Sequence, residues 1–87
     1  MNDTIKFVNK EVDVNSFYFQ PNKNFKTFPK QIEVDGTRYV FFENGLRFLI
    51  RKGQRLIELF DMTDGQSIYR LRLESGRWTL VDIKAGA

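Results

Sequence analysis

A chain of 87 residues has room for one domain, and at that length folding buries only about two thirds of the surface the unfolded chain exposes. Hydrophobic residues make up 41% of it and include nine Phe, three Tyr and one Trp, so large rings must supply much of the core. The absence of cysteine and histidine excludes disulfides, thiolate nucleophiles and imidazole bases or ligands, and a formal net charge of +3 permits a polyanionic partner without demanding one.

Residues 1–10 carry charges where a signal peptide has its apolar stretch, and no apolar run approaches the roughly 18 residues of a membrane span. The expected location is therefore the cytoplasm, with no membrane partner. In residues 1–29, Ile5, Phe7, Val8, Val12 and Val14 stand among polar residues, followed by a cluster at Phe17, Tyr18 and Phe19. Two short strands are expected near residues 5–9 and 16–20, with a short helix before Pro21 as the alternative. Residues 21–29, bracketed by Pro21 and Pro29, form a polar connection whose Phe25 and Phe28 are expected to lie across a sheet.

From Lys30 to Lys84 the pattern changes to period-two alternation cut by evenly spaced turns, which predicts six strands over residues 31–34, 37–42, 46–52, 55–61, 67–74 and 77–84. Asp35-Gly36 and Asn44-Gly45 are the strongest two-residue hairpin signals, because Asn, Asp and Gly tolerate the positive φ that a type I′ turn needs, and Gly36 and Gly45 are expected to adopt it. Gly53-Gln54 and Ser75-Gly76 are weaker signals of the same kind. Thr63-Asp64-Gly65 is read as a three-residue loop with Gly65 in the left-handed conformation. These turns set a register in which Ile32 faces Tyr39, Phe41 faces Phe48, Tyr39 faces Ile50, Ile50 faces Ile57, Phe48 faces Leu59, Leu59 faces Tyr69, Ile57 faces Leu71, Leu73 faces Trp78 and Leu71 faces Leu80. Tyr39, Phe41, Phe48, Ile50, Ile57, Leu59, Leu71 and Leu80 are thus expected to be buried on one common face.

The expected architecture is all-β: a six-stranded antiparallel meander over residues 30–84, rolled into a small barrel or a strongly twisted sheet, with the N-terminal segment packed on it and residues 85–87 as a tail. The runner-up is a two-layer arrangement in which the N-terminal segment covers one open face. In its short strands, tight turns and Trp-bearing last strand the meander resembles the small barrels grouped as SH3-like. That likeness is one of architecture and implies no function.

The opposite face of the meander gathers Arg38, Arg47, Arg51, Arg70 and Arg72 among apolar side chains that include Phe42 and Phe60. Glu33 is expected opposite Arg38 and Glu58 opposite Arg70, leaving Arg47, Arg51 and Arg72 without an opposing carboxylate. Arginine forks among aromatic rings on a sheet suit single-stranded nucleic acid or an acidic protein, so Arg47, Arg51, Arg70, Arg72, Phe42 and Phe60 form the candidate partner-binding set. The competing explanation is a solvated outer face whose long Arg stems cover apolar neighbours. Apolar members such as Val40, Phe42, Leu49 and Phe60 also suit self-association or a protein partner.

The carboxylates Asp35, Glu43, Asp61, Asp64 and Glu74 sit at turns, where capping explains them, and the residues around Asp64 lack the alternating acids of a calcium loop. No glycine-rich phosphate cradle exists, and Ser16, Ser67 and Ser75 have no histidine to activate them. No catalytic residue, metal or cofactor is expected. The chain reads as a non-catalytic binding or adaptor module for protein or nucleic acid, with a self-associating structural subunit as the alternative and an enzyme as a distant third.

Overall fold

The apolar and polar alternation produces strands along nearly the whole chain. The computed structural model describes residues 4–20 and 26–86, and Phe25 with most of the expected polar connection lies outside the described residues. Eight strands form: β1 (Ile5–Glu11), β2 (Asp13–Gln20), β3 (Lys26–Val34), β4 (Thr37–Val40), β5 (Leu46–Lys52), β6 (Arg55–Thr63), β7 (Ser67–Glu74) and β8 (Arg77–Ala85), with no helix among the described residues. All pairings are antiparallel, in a five-stranded sheet of order β1-β8-β7-β6-β5 and a three-stranded sheet of order β2-β3-β4.

Three hairpins close as the turn residues dictate. Asp35 and Gly36 have φ of 50° and 80°, Ser75 and Gly76 have 53° and 77°, and Gly53 has 65°. Ile32 accordingly faces Tyr39, Ile50 faces Ile57, Phe48 faces Leu59, Leu73 faces Trp78 and Leu71 faces Leu80.

The six-stranded meander and the barrel are corrected to eight strands in two sheets without barrel closure, because β4 does not pair with β5. Covalent corners connect the sheets along both sides instead. At one, the Val12 amide donates to the Trp78 carbonyl at 3.0 Å and the chain then joins β3. At the other, the Phe41 amide donates to Lys30 and the Phe42 amide to Thr63, both at 2.8 Å, so neighbouring amides bond to different sheets. This crossing pre-empts the expected Asn44-Gly45 hairpin and with it the facing of Phe41 to Phe48 and of Tyr39 to Ile50. Gly45 is not among the residues with positive φ. Its need is space: a Cβ there would overlap the Met62 sulfur and lie 3.2 Å from the Asp61 carbonyl oxygen.

The second correction concerns β6 and β7. Thr63 pairs with Ile68, leaving four residues between them rather than three, and Met62 instead of Leu59 faces Tyr69. The Asp64 carboxylate holds this longer loop by accepting from the Gln66 and Ser67 amides, both at 2.9 Å, and from the Tyr69 hydroxyl at 2.8 Å. A shift of three positions is odd, so it exchanges the faces of β5 and β6 relative to β7 and β8. Phe60 and Met62 therefore enter the core, while Phe48, Ile50, Ile57 and Leu59, expected to be buried, lie on the outer face of the five-stranded sheet.

The core comprises Val12, Phe28, Ile32, Phe41, Phe60, Met62, Tyr69, Leu71 and Leu80, with Tyr39 and Trp78 packed against it. Residues before Lys30 thus contribute to it directly, as Val12 and Phe28. Rings meet edge to face or tilted, Phe28 to Phe60 at 5.8 Å, Phe60 to Trp78 at 5.2 Å and Phe41 to Tyr69 at 5.1 Å, distances at which aromatic pairs attract beyond their buried area.

Candidate functional site

The exchanged register divides the six candidate residues. Arg47, Arg51 and Phe60 share the inner face of the five-stranded sheet, whereas Arg70 and Arg72 project from its outer face. Phe60 is a core residue, 2% exposed, with the Arg47 guanidinium 6.0 Å from its ring centre. Phe42 stands exposed at the second corner beside Gly65, where a Cβ would come within 3.0 Å of its ring. The expected common surface is therefore not assembled, since it rested on the three-residue loop before β7.

The ion pairs differ as well. Arg47 does have a carboxylate, binding Glu58 Oε1 through Nε at 3.0 Å and Nη2 at 2.5 Å. Arg70 faces Asp61 rather than Glu58 and forms a two-pronged pair with it, both bonds 2.8 Å, while its guanidinium lies 5.9 Å from the Phe48 ring. The bonds that Arg70 donates to Asp61 raise its already high pKa, fixing its charge. Glu33 pairs with Arg38 at 3.8 Å, as expected. Arg72 has a 3.5 Å contact with Thr79, and Arg51 has no ion-pair partner among the described residues.

Four of the five turn carboxylates are engaged within the fold. Asp35 binds Lys10 at 2.6 Å, Glu74 binds Arg55 at 2.5 Å, Asp61 binds Arg70 and Asp64 holds its own loop. Burial alone would raise the Asp64 pKa, but the Gln66 and Ser67 amides and the Tyr69 hydroxyl outweigh it and hold the carboxyl below its ordinary value. Burial and the same bond to Asp64 push the Tyr69 hydroxyl upward. At the open end between the sheets, Val8, Val34, Tyr39, Leu80 and Ile83 line a cleft of about 260 Å³ beneath Lys6 and Lys10.

What the fold leaves open is a backbone edge. The two sheets have four edge strands, and edges are normally blunted by shortness, bulges or charge. β4 is four residues long, β1 shifts register between Phe7 and Lys10, and β2 shifts twice between Val14 and Phe17. β5 pairs with β6 without interruption over all seven residues, and no other strand among the described residues pairs with its other side. Its Leu46, Phe48, Leu49 and Ile50 are 62%, 40%, 56% and 41% exposed. Leu46, Phe48 and Ile50 share the outer face with Ile57 and Leu59, while Arg47, Leu49 and Arg51 alternate onto the other.

The sequence carries this strand's position and alternation, and only the absent β4 to β5 pairing shows that it is an edge. No protein-family model, curated protein or solved structure matches the chain.

Proposed function

We propose that the protein is a small non-catalytic binding module whose partner is an extended protein segment added as a further strand to β5. The observation that carries this is the uninterrupted edge of β5, unpaired among the described residues, with Leu46, Phe48 and Ile50 exposed in a row beside Ile57 and Leu59. Strand addition supplies main-chain hydrogen bonds along the edge and buries alternate side chains, and full burial of a Leu, Ile or Phe is worth about 1.5 to 3 kcal/mol before the costs of association.

Single-stranded nucleic acid is favoured less by the same geometry. Phe60 is buried, Arg47 and Arg70 are held by carboxylates, and the remaining Arg51 and Arg72 lie on different faces. A groove that tracks phosphates needs several cations on one side. The exposed apolar row also suits addition of a second copy at β5, which is the alternative.

Amide hydrogen exchange separates these readings. Successive amides of an edge strand point alternately to the neighbouring strand and to the open side, so those bonded to β6 are protected and the intervening ones exchange fast. Three eight-residue peptides alternating valine with glutamate, threonine or lysine serve as probes. Slowed exchange at the outward amides of β5 supports strand addition. If no peptide slows them at millimolar concentration and the chain sediments as a monomer, β5 is not the binding edge.

A further inference from the structure

We infer that the strand β5 accepts is acidic, with apolar and carboxylate side chains in alternation. This rests on strand addition at β5 and names the chemistry of the added strand. In an antiparallel pair, residues directly opposite share a face, so a strand laid beside β5 meets two different rows. One row is Leu46, Phe48 and Ile50, ending in Lys52; the other is Arg47, Leu49 and Arg51. Every charged residue of β5 is a cation.

β6, the strand already paired with β5, shows what that pattern accepts. It places Ile57 opposite Ile50 and Leu59 opposite Phe48 on one face, and on the other its Glu58 takes Arg47. Arg51 and Lys52 have no ion-pair partner among the described residues, and both are exposed. A strand on the open side that carries apolar residues on the outer face and carboxylates on the other would cover the apolar row and bring a carboxylate to Arg51.

The charge also weighs against a second copy. Keeping apolar rows on one face requires β5 to pair with itself about Phe48, Leu49 or Ile50. Pairing about Leu49 sets Arg47 directly opposite the second copy's Arg51, and pairing about either neighbour keeps arginines diagonal to one another. Like charges opposed across strands are destabilising. The cations thus guard the edge against copies of the chain while leaving it complementary to an acidic segment.

The three peptides test this through their order of affinity, read as shifts and exchange rates of the β5 amides. Glutamate and lysine are both poor strand residues, so comparing those two isolates charge. At low salt the glutamate peptide should bind about threefold to fivefold more tightly than the lysine peptide, the scale of an exposed ion pair at Arg51, and the gap should shrink in 0.5 M salt. The double variant Arg51→Glu, Lys52→Glu should reverse the order, with unchanged exchange in β7 and β8 showing that it folds. Equal binding of the three peptides, or an order unmoved by the double variant, overturns the acidic partner while leaving strand addition standing. Concentration-dependent dimerisation that excludes the peptides, or stronger protection by oligodeoxythymidine than by the glutamate peptide, also overturns it. Failure of every peptide, without dimerisation, defeats strand addition itself.

Discussion

The two faces of β6 put side chains of similar hydrophobicity to opposite uses. Phe60 and Met62 are buried between the sheets, whereas Ile57 and Leu59, one residue out of phase, lie on the outer face beside Phe48 and Ile50. A strand apolar on both faces does not announce by its own alternation which one turns inward. Its neighbours decide, through the number of residues in the loop that joins them. An outer face that stays apolar after the core is complete is the kind of surface a partner covers.

The largest expected effect breaks that comparison directly. Phe60→Ala should destabilise by about 3 to 5 kcal/mol, because the cavity lies among Phe28, Trp78 and the rest of the core. Ile57→Ala should cost less than half as much, since a half-buried side chain leaves no enclosed void. Urea unfolding of both variants measures this, and equal losses would mean that Ile57 is as deeply buried as Phe60.

A smaller effect sharpens the contrast at the corner that feeds β5. Gly45→Ala should cost about 1 to 3 kcal/mol through collision with Met62, and much of that loss should disappear in a Met62→Ala background. Gly36→Ala should cost about 1 to 2 kcal/mol, because φ is 80° there, and no change at a neighbour should restore it. Double-mutant cycles at the two glycines distinguish a packing constraint from a backbone one.

The turns at 35–36, 53–54 and 75–76 were legible because two adjacent residues determine each of them. The connection at 63–67 was not, since three-residue and four-residue closures use the same Thr-Asp-Gly. The choice falls to the Asp64 carboxylate, which reaches the Gln66 and Ser67 amides and the Tyr69 hydroxyl together. Asn44-Gly45 misleads for a non-local reason: the Phe42 amide donates to the Thr63 carbonyl, some twenty residues on, and β4 and β5 belong to different sheets. The candidate set inherits the same parity. Arg47 and Arg51 remain together on β5, Arg70 and Arg72 turn to the other face, and Phe60 is lost to the core.

The Asp64 loop fixes that parity, and acid tests it. The Asp64 pKa is below its ordinary value of 3.8 in the folded chain, so its contribution to stability is complete above the unfolded value and is lost as pH falls through the folded one. Stability measured from pH 6 down to pH 2 should decline more steeply in the parent than in Asp64→Asn, which keeps an acceptor for both amides but does not titrate. Parallel curves would remove the loop carboxylate from the account.

The smallest expected effect on stability falls on the outer row of β5. Ile50→Thr keeps a β-branched residue that suits a strand, and Ile50 is 41% exposed with Ile57 opposite it, so it has little buried area to lose. The cross-strand pair accounts for about 0.2 to 1 kcal/mol, and the unfolding midpoint should move by no more than that implies. The same change removes the apolar surface that an added strand would cover, so affinity for the valine and glutamate peptide should fall severalfold while β7 and β8 exchange as before. A large loss of stability would show instead that Ile50 belongs to a packed core. With Ile57 on the same row, the outer face of β5 and β6 would then be an interior surface of the chain and not a free one.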